Sequence, residues 1–434
     1  MNPQNPSTVT RRSFLGTSTA AILGSAISTG IPIVGRAADT KTLKIALIGC
    51  GGRGTGAANQ ALHADDNIAL VAMADIAADQ IEKSLQQLTS AAGDKVKVDD
   101  AHKFVGLDAV DKVLAMPEID VVLLTTPPGF RAEHFEKAVK AGKHTFAEKP
   151  VAVDGPTYRR FLAAAKESKA KGLGCQSGFC WRSKYAERQT QQRVRDGMIG
   201  EVRATYGNYL GNTPWVKPRK DGWTDLEYQL RNWLYFTWLS GDHLVEQAVH
   251  TVDKMCWTFN DVDPISATAT GGRQQRVEDE YGHVWDHFAV EYEWPNGARG
   301  FIFCRQQQGC FNEVADRFLG TKGSVDQVSG RYNRITTFGG DQWKYTGPSN
   351  DMYQTEHDEF FASIREGKPL NNAEKLAHSS MVAVLGRMAA YTGQTITWED
   401  AIKSTETLAP QEPLDWHMKL PTPPVAIPGR TKFA

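Results

Sequence analysis

Three glycines at the start of a helical segment constrain the fold of this chain more than any other feature. Gly49, Gly51 and Gly54 have the spacing G-x-G-x-x-G, directly after the apolar run KIALI. Such glycines permit a tight strand-to-helix turn, close approach of the backbone to a pyrophosphate, and close packing of helix on strand. The helix N-terminus adds unpaired N–H groups that attract phosphate. The motif predicts a dinucleotide-binding cradle.

A carboxylate follows the cradle at the expected distance. Asp75 ends the next apolar run, IALVAMAD, about twenty residues after Gly54, where it could bind both hydroxyls of an adenosine ribose. No arginine follows Asp75 immediately, so a 2′-phosphate would meet negative charge, and NAD is predicted over NADP. The alternative is that Asp75 only caps the following helix.

The order of apolar runs and helical patterns predicts an α/β fold with two domains. Residues 41–165 alternate strand and helix, which predicts an N-terminal Rossmann domain with a doubly wound parallel sheet. Residues 166–411 contain β-like segments without intervening helices, which predicts an α+β domain with an open mixed or antiparallel sheet. A tryptophan-rich insertion interrupts these segments, and a late helical block is expected to pack on the same domain. Residues 412–434, with five prolines, predict an extended arm.

The N-terminus predicts export. In residues 1–38, Arg11 and Arg12 precede Ser-Phe-Leu and a weakly apolar stretch that is too short and too polar for stable membrane insertion. This pattern is typical of a twin-arginine signal peptide, whose translocon carries folded proteins. We therefore expect a periplasmic or otherwise extracytoplasmic protein. A disordered arm or a retained anchor is the alternative.

Charge and cysteine content exclude other classes. The chain has 49 Lys+Arg and 50 Asp+Glu, a net charge of −1, so no nucleic-acid-binding surface is indicated. Its six cysteines lack CxxC spacing and do not describe a disulfide framework. Only Cys304 and Cys310 are close enough along the chain to suggest a pair.

Two segments carry candidate chemistry. Lys149, in the sequence EKP, ends a predicted strand at the sheet edge where ligands bind, and could hold a substrate hydroxyl near a nicotinamide. A surface ion pair with a neighbouring glutamate is the alternative. In SGDHLVEQAVHTVD the spacing places His243, Glu246 and His250 on one helix face. Glu246 could fix the tautomer of His250 and raise its basicity, so that His250 accepts the proton of an alcohol during oxidation.

Two other interpretations of the histidines stay open. A buried histidine is often only a hydrogen-bonded core residue, and a His/Glu/His face could bind a metal ion with His283 and His287. The spacing is not HExxH, so no metal is predicted.

The chain resembles the glucose-fructose oxidoreductase, inositol dehydrogenase and rhizopine catabolism (Gfo/Idh/MocA) family. The motifs that carry the resemblance are IGCGGRG, Asp75, TTPP at 125–128, EKP at 148–150, GFCWR at 178–182, GMIGEV at 197–202 and ExxxH at 246–250. The resemblance implies an NAD(P)-binding Rossmann domain, a C-terminal domain whose open sheet serves substrate and oligomer contacts, and a sugar or cyclitol substrate. It also implies a homodimer or homotetramer.

The resemblance and the residue patterns together give a candidate site. Lys149 and His250 are the implied catalytic residues, with Glu246 where the family more often has Asp. The predicted cofactor contacts are Gly49, Gly51, Arg53, Gly54, Asp75, Thr126, Pro127, His134, Glu148 and Lys149. The predicted substrate contacts, which include aromatic rings able to stack on a sugar, are Arg182, Tyr185, Trp215, Trp233 and His243.

Export of a nicotinamide enzyme sets a further requirement. Free NAD is not expected outside the cytoplasm, so the cofactor is predicted to stay tightly bound and to be reoxidised within the same catalytic cycle. We predict an NAD(P)-dependent oxidoreductase that moves a hydride between a sugar ring hydroxyl and bound NAD. The alternatives are a redox-neutral NAD-dependent glycosidase, working by oxidation, elimination, hydration and reduction, and a non-catalytic periplasmic sugar-binding protein.

Overall fold

The structure, a computed structural model, describes residues 41–434. The predicted signal peptide, residues 1–38, lies outside the described residues and stays a prediction. The strands are β1 Leu43–Ile48, β2 Ile68–Asp75, β3 Lys103–Val105, β4 Val121–Leu124, β5 His144–Ala147, β6 Cys175–Ser177, β7 Val202–Gly211, β8 Ser266–Gly272, β9 His287–Glu293, β10 Arg299–Gln306, β11 Glu313–Gly320, β12 Gly323–Val328, β13 Tyr332–Thr337, β14 Gln342–Lys344 and β15 Ile396–Thr397.

Helices connect many of these strands, and the last helix follows β15. They are α1 Gly52–Ala64, α2 Ala78–Ala92, α3 Ala109–Leu114, α4 Pro128–Lys140, α5 Gly155–Ala170, α6 Tyr185–Arg195, α7 Asp225–Arg231, α8 Thr237–Ser240, α9 His243–Glu246, α10 Val249–Thr258, α11 Met352–Arg365, α12 Ala373–Thr392 and α13 Trp398–Lys403. Within residues 41–434, none of the helices is both long and apolar enough to cross a membrane.

The first sheet has the predicted Rossmann topology. Its six strands are all parallel, in the order β3-β2-β1-β4-β5-β6, so the strand order reverses between β1 and β4. Ligands of such sheets bind at the carboxyl ends of the strands beside this reversal. The sixth strand, β6, lies beyond the predicted domain boundary at residue 165, which falls inside helix α5.

The second sheet confirms the prediction of a mixed open sheet. Its nine strands follow the order β14-β13-β12-β11-β7-β10-β9-β8-β15. Strands β7 and β10 are parallel, and every other neighbouring pair is antiparallel. Helices α6, α10 and α12 pack on one face. The outer face is left without a helical layer in the described part of the chain.

The late helical block packs differently from the prediction. Helix α11 lies against α1 of the first domain, and its Phe360 and Phe361 join the apolar cluster of Ile45, Ala57 and Phe146. Only α12 packs on the second sheet, as expected of both helices. The amphipathic pattern of α11 specifies a buried face, but it does not specify which domain covers that face.

The tryptophan-rich insertion, residues 212–240, forms a separate small core. Leu226, Leu234 and Trp238 are its buried centre. The C-terminal arm, residues 412–434, contains no helix or strand and packs Trp416 and Leu420 against the insertion. The arm therefore covers the insertion of its own chain.

Candidate active site

The glycine loop after β1 has the geometry of a dinucleotide cradle. Gly49 has a φ of +96°, and a Cβ there would lie 2.8 Å from the Thr125 carbonyl carbon. A Cβ on Gly54 would lie 2.0 Å from the Gly49 carbonyl oxygen, so this glycine permits α1 to pack on the loop. A Cβ on Gly51 would meet no atom within 4 Å. Gly51 caps α1 without a side-chain cap, which leaves open space at a helix N-terminus suited to a pyrophosphate.

Asp75 fastens this loop to the second strand. Its carboxylate accepts hydrogen bonds from the backbone N–H of Cys50 (2.6 Å) and from that of Ala77 (3.0 Å). Burial raises the pKa of Asp75, and the Cys50 N–H opposes the shift by stabilising the charged form. The contact with Ala77 agrees with the helix-capping alternative. The contact with Cys50 places the same carboxylate at the cradle.

The predicted residues after β4 also lie at the cradle. The Thr125 hydroxyl donates to the Gly49 carbonyl oxygen (2.6 Å), and Pro127 is the N-cap of α4. The Thr126 hydroxyl lies 3.1 Å from Nδ1 of His134. Burial lowers the pKa of His134 to about 4, so this histidine is neutral. A neutral His134 can accept from the Thr126 hydroxyl and orient it.

Arg53 and Glu148 join the cradle to the EKP segment. Nε of Arg53 lies 2.9 Å from Oε1 of Glu148, which is 3% exposed. The other carboxylate oxygen of Glu148 accepts from the backbone N–H of Lys149 (3.1 Å). An ion pair and a hydrogen bond thus fix the backbone of Lys149 relative to α1.

Lys149 contacts the second domain through Glu246. Its Nζ donates to the Glu246 main-chain oxygen (2.7 Å) and to its carboxylate (3.1 Å). The predicted pairing of Glu246 with His250 is wrong. The expected continuous helix is interrupted, because α9 ends at Glu246 and α10 begins at Val249, and this break removes the i,i+4 relation. Glu246 therefore positions the lysine.

The pKa of His250 is lowered, whereas the sequence predicted a more basic histidine. It is half-buried, with its ring 6.0 Å from the Phe179 ring, and its Nδ1 is buried without a hydrogen-bond partner. Burial lowers its pKa well below 6.5, and the charges of Lys149, Lys254 and Arg53 lower it further. His250 is thus a neutral imidazole beside cations, and Nε2 is the nitrogen left to reach a substrate.

Two predicted substrate residues, Arg182 and His243, lie against carboxylates of the protein itself. The Arg182 guanidinium pairs with Asp253 (2.8 Å) and with Asp261 (2.6 Å). His243 is 2% exposed, with Nδ1 3.0 Å from the Asp242 carboxylate. The structure does not bring either side chain to the contact between Lys149 and Glu246. The partners of Arg182 are distant in the sequence, so its local motif does not reveal them, whereas Asp242 directly precedes His243.

Of the remaining predicted substrate residues, Trp215 and Tyr185 are exposed and Trp233 is half-buried. Trp215 is 44% exposed and meets the edge of Trp233, with ring centroids 6.0 Å apart in the insertion. Tyr185 is 38% exposed at the first position of α6. The structure shows no contact of these rings with Lys149 or His250.

Two residues near the site were missed by sequence reasoning. Nη1 of buried Arg131 donates to the Pro150 carbonyl oxygen (2.6 Å), while Glu148 and Glu246 stabilise its charge. Burial raises the pKa of Tyr209 to about 12, and the negative charge of Glu246 adds to the shift. Arg131 lies in an ordinary amphipathic helix and Tyr209 in an ordinary strand. Neither residue carried a local signal.

The metal and disulfide alternatives were also open. Within residues 41–434, no group of three or more His, Cys, Asp or Glu side chains could hold a metal ion. His283 instead lies 2.6 Å from the Thr237 hydroxyl, and His287 lies 2.8 Å from the Asp286 carboxylate. All six cysteines are free thiols, so Cys304 and Cys310 do not form the suggested pair.

Together, these features define a two-domain protein with a dinucleotide cradle whose EKP lysine reaches the second domain. Residues 43–176 match the family described as an oxidoreductase family with an NAD-binding Rossmann fold, and residues 188–326 match the GFO/IDH/MocA C-terminal domain. The two matches cover more than half of the sequence. The chain therefore belongs to the Gfo/Idh/MocA family.

Curated relatives are distant and differ in how much they share. The chain is 31% identical over 117 residues to dTDP-3,4-didehydro-2,6-dideoxy-alpha-D-glucose 3-reductase of Actinomadura kijaniata, which covers 27% of this chain and 32% of that protein. It is 24% identical over 325 residues to inositol 2-dehydrogenase of Rhizobium meliloti, 74% of this chain and 86% of that protein. It is 26% identical over 169 residues to a glycosyl hydrolase family 109 protein of Streptomyces coelicolor, which covers 39% of this chain and 34% of that protein.

A solved structure shares the fold. Levoglucosan dehydrogenase in complex with NADH and levoglucosan aligns with a TM-score of 0.66 at 19% identity, and covers 82% of this chain and 99% of its own. The alignment supports the two-domain architecture.

Proposed function

We propose that the protein is an NAD(P)-dependent oxidoreductase that acts on a ring hydroxyl of a sugar or sugar derivative. One observation carries the proposal: Lys149 contacts Glu246. This contact joins the cradle to the second domain at the end of α9, shortly before α10, which carries His250. Alcohol oxidation needs a base for the hydroxyl proton, which a neutral imidazole can provide, and a nearby cation can stabilise charge on the oxygen. The similarity to an inositol dehydrogenase over most of both chains supports the same chemistry.

The residues divide the reaction between them. Bound NAD(P) supplies the hydride acceptor. The Lys149 ammonium orients the substrate hydroxyl and stabilises negative charge on its oxygen. His250 accepts the hydroxyl proton at Nε2, and its neutral state at physiological pH leaves this nitrogen free to do so. Glu246 positions Lys149 through its carboxylate and its main-chain oxygen.

The rate of sugar oxidation should stay constant down to an unusually low pH. His250 must be neutral to accept a proton, and its pKa lies well below 6.5, so protonation inhibits the enzyme only below that pH. The measurement is kcat/KM for oxidation against pH. An inflection from this group at or above pH 6.5 would contradict the assignment of His250.

The cofactor is proposed to be NAD. The Asp75 carboxylate is held at the cradle by Cys50 and would repel a 2′-phosphate. Equilibrium titration with NADH and NADPH tests this proposal, and we expect NADH to bind more tightly by about tenfold or more. Equal affinities would refute the preference.

The cofactor is also proposed to be resident, because residues 1–38 carry the twin-arginine pattern of a protein exported after folding. Protein purified without added nucleotide should release close to one equivalent of NAD(H) on denaturation.

Cell fractionation of the native sequence and of a variant with Arg11→Lys and Arg12→Lys tests the export. Retention of both proteins in the same compartment would refute it.

A redox-neutral glycosidase is the second candidate, favoured by the similarity to a glycosyl hydrolase family 109 protein. With a bound nicotinamide to take up and later return the hydride, the same lysine and histidine would assist oxidation of a ring hydroxyl to a ketone. The aglycone would then be eliminated, water would add, and the returned hydride would reduce the ketone. Aryl glycosides separate the two candidates. Release of aglycone without net change in bound nicotinamide favours the glycosidase, and a keto sugar product favours the oxidoreductase.

The outer face of the second sheet is proposed to bind a second copy of this chain, as a homodimer or homotetramer. Tyr206, Phe303 and Leu319 are 40%, 44% and 40% exposed on adjacent strands, and Tyr206 stacks on Phe301 at 5.1 Å. Contiguous exposed apolar surface is characteristic of an interface. Light scattering should give a dimeric or tetrameric mass, which Phe303→Arg reduces. A monomeric mass for the native protein would refute the proposal.

A further inference from the structure

We propose that the insertion, residues 212–240, closes over the adenosine end of the cofactor cradle and slows release of the cofactor. This inference rests on the proposed function, because it assumes a dinucleotide bound in the cradle. It assigns a role to a segment that contributes none of the catalytic groups.

An ion pair ties the insertion to the first domain. Arg231 ends α7, and its Nη2 and Nη1 lie 3.1 Å and 3.3 Å from the two carboxylate oxygens of Asp79. Asp79 lies in the first turn of α2, four residues after Asp75. The pair therefore attaches the insertion beside the carboxylate expected to bind the adenosine ribose.

Apolar contacts lie along the same sheet edge. Ile76, Leu107 and Phe130 all pack against the buried core of the insertion. Ile76 directly follows Asp75, Leu107 follows β3, and Phe130 lies in the first turn of α4, where it stacks on His134. These residues surround the carboxyl ends of β2, β3 and β4. The insertion thus covers the adenosine side of the cradle.

Lys217 is a further basic residue of the insertion. Its backbone N–H donates to Oδ1 of Asn232 (3.0 Å), and its Nζ lies 5.3 Å from the Trp215 ring centroid. Desolvation and the charge of Arg231 lower the pKa of Lys217, while the carboxylates of Asp79 and Asp75 oppose the shift. A further positive charge of the insertion thus interacts with both carboxylates.

The C-terminal arm holds the insertion from its other side. Nε2 of Gln229 donates to the Leu420 carbonyl oxygen (2.7 Å), and the Leu420 N–H donates to the Asp225 carboxylate (3.1 Å). The insertion is thus anchored between the arm and the first domain. Opening the adenosine side requires the contact with α2 to break.

The release rate of NADH tests this proposal. Protein loaded with NADH is mixed with excess NAD⁺, and the loss of bound-NADH fluorescence is followed by stopped flow. Arg231→Ala and Asp79→Ala should each speed release by roughly threefold to tenfold, and the double variant should be no faster than either single one. Arg219→Ala is the matched control, because Arg219 pairs with Asp225 inside the insertion, and it should leave the rate unchanged.

Limited proteolysis gives a second readout on the native protein. Arg219 and Lys220 are exposed, so trypsin should cleave the insertion there, and saturation with NADH should slow the cleavage. Unchanged release rates in both single variants, or equal cleavage with and without NADH, would overturn the proposal. A native protein that binds no NADH at all would refute the proposed function, and this inference with it.

Discussion

Replacing Lys149 by methionine should lower the rate of sugar oxidation by about a hundredfold or more, the range expected when a group that stabilises negative charge on the reacting oxygen is lost. Methionine retains most of the side-chain length but removes the ammonium that Glu246 positions. Lys149 is only one of the predicted cofactor contacts, and the glycine loop and Asp75 are untouched, so most of the bound NAD should be retained. The measurements are kcat/KM with sugar and the amount of nucleotide retained after gel filtration.

Two comparisons make the Lys149 result specific. Lys169→Met removes an exposed lysine paired with Glu374 and should leave the activity unchanged. Glu246→Gln retains the main-chain contact with Lys149 and should cost less activity than Lys149→Met. Full activity in Lys149→Met would rule out a catalytic role for this lysine.

The two glycine substitutions Gly54→Ala and Gly51→Ala should have separable effects. A Cβ on Gly54 would lie 2.0 Å from the Gly49 carbonyl oxygen and 2.5 Å from the Thr125 hydroxyl, so the backbone must move. We expect Gly54→Ala to destabilise the protein by about 3 kcal/mol, at the upper end of the usual cost of overpacking. Gly51→Ala meets no atom within 4 Å and should leave the stability unchanged.

Cofactor affinity should respond differently from stability. The methyl group of Gly51→Ala would occupy the space left for a pyrophosphate, so the affinity for NADH should fall by roughly tenfold or more. Denaturant unfolding and fluorescence titration of both variants make the comparison. If Gly51→Ala binds NADH as tightly as the native protein, the pyrophosphate does not lie at this position.

The first domain was predictable because its determinants are local. Strand β2 ends at Asp75 as its apolar run does, and the glycines lie at the turn that their spacing indicates. The topology follows because parallel strands joined by helices have few possible arrangements. The packing of α11 on α1 could not be predicted, because an apolar helix face does not reveal its partner.

The site was predictable in its identities but not in its pairings. Spacing suggested that Glu246 serves His250, yet the break between α9 and α10 turns Glu246 towards Lys149, ninety-seven residues away in sequence. Arg182 was predicted to contact substrate, and the sequence did not reveal its ion pairs because Asp253 and Asp261 are far from it along the chain. The pKa of His250 depends on burial, on Lys254 of the same helix, and on Lys149 and Arg53 from other elements, and no local pattern encodes the burial or the two distant cations.

The reaction of bound NAD⁺ with sugars tests the proposed sugar chemistry. The protein is loaded with NAD⁺, freed of excess nucleotide and mixed with a panel of sugars, cyclitols and aryl glycosides, while nicotinamide absorbance and aglycone release are followed together. We expect at least one compound to reduce the bound cofactor or to release its aglycone, and Lys149→Met to do neither. A protein that binds stoichiometric NAD⁺ but responds to no compound in the panel would contradict the proposed sugar chemistry.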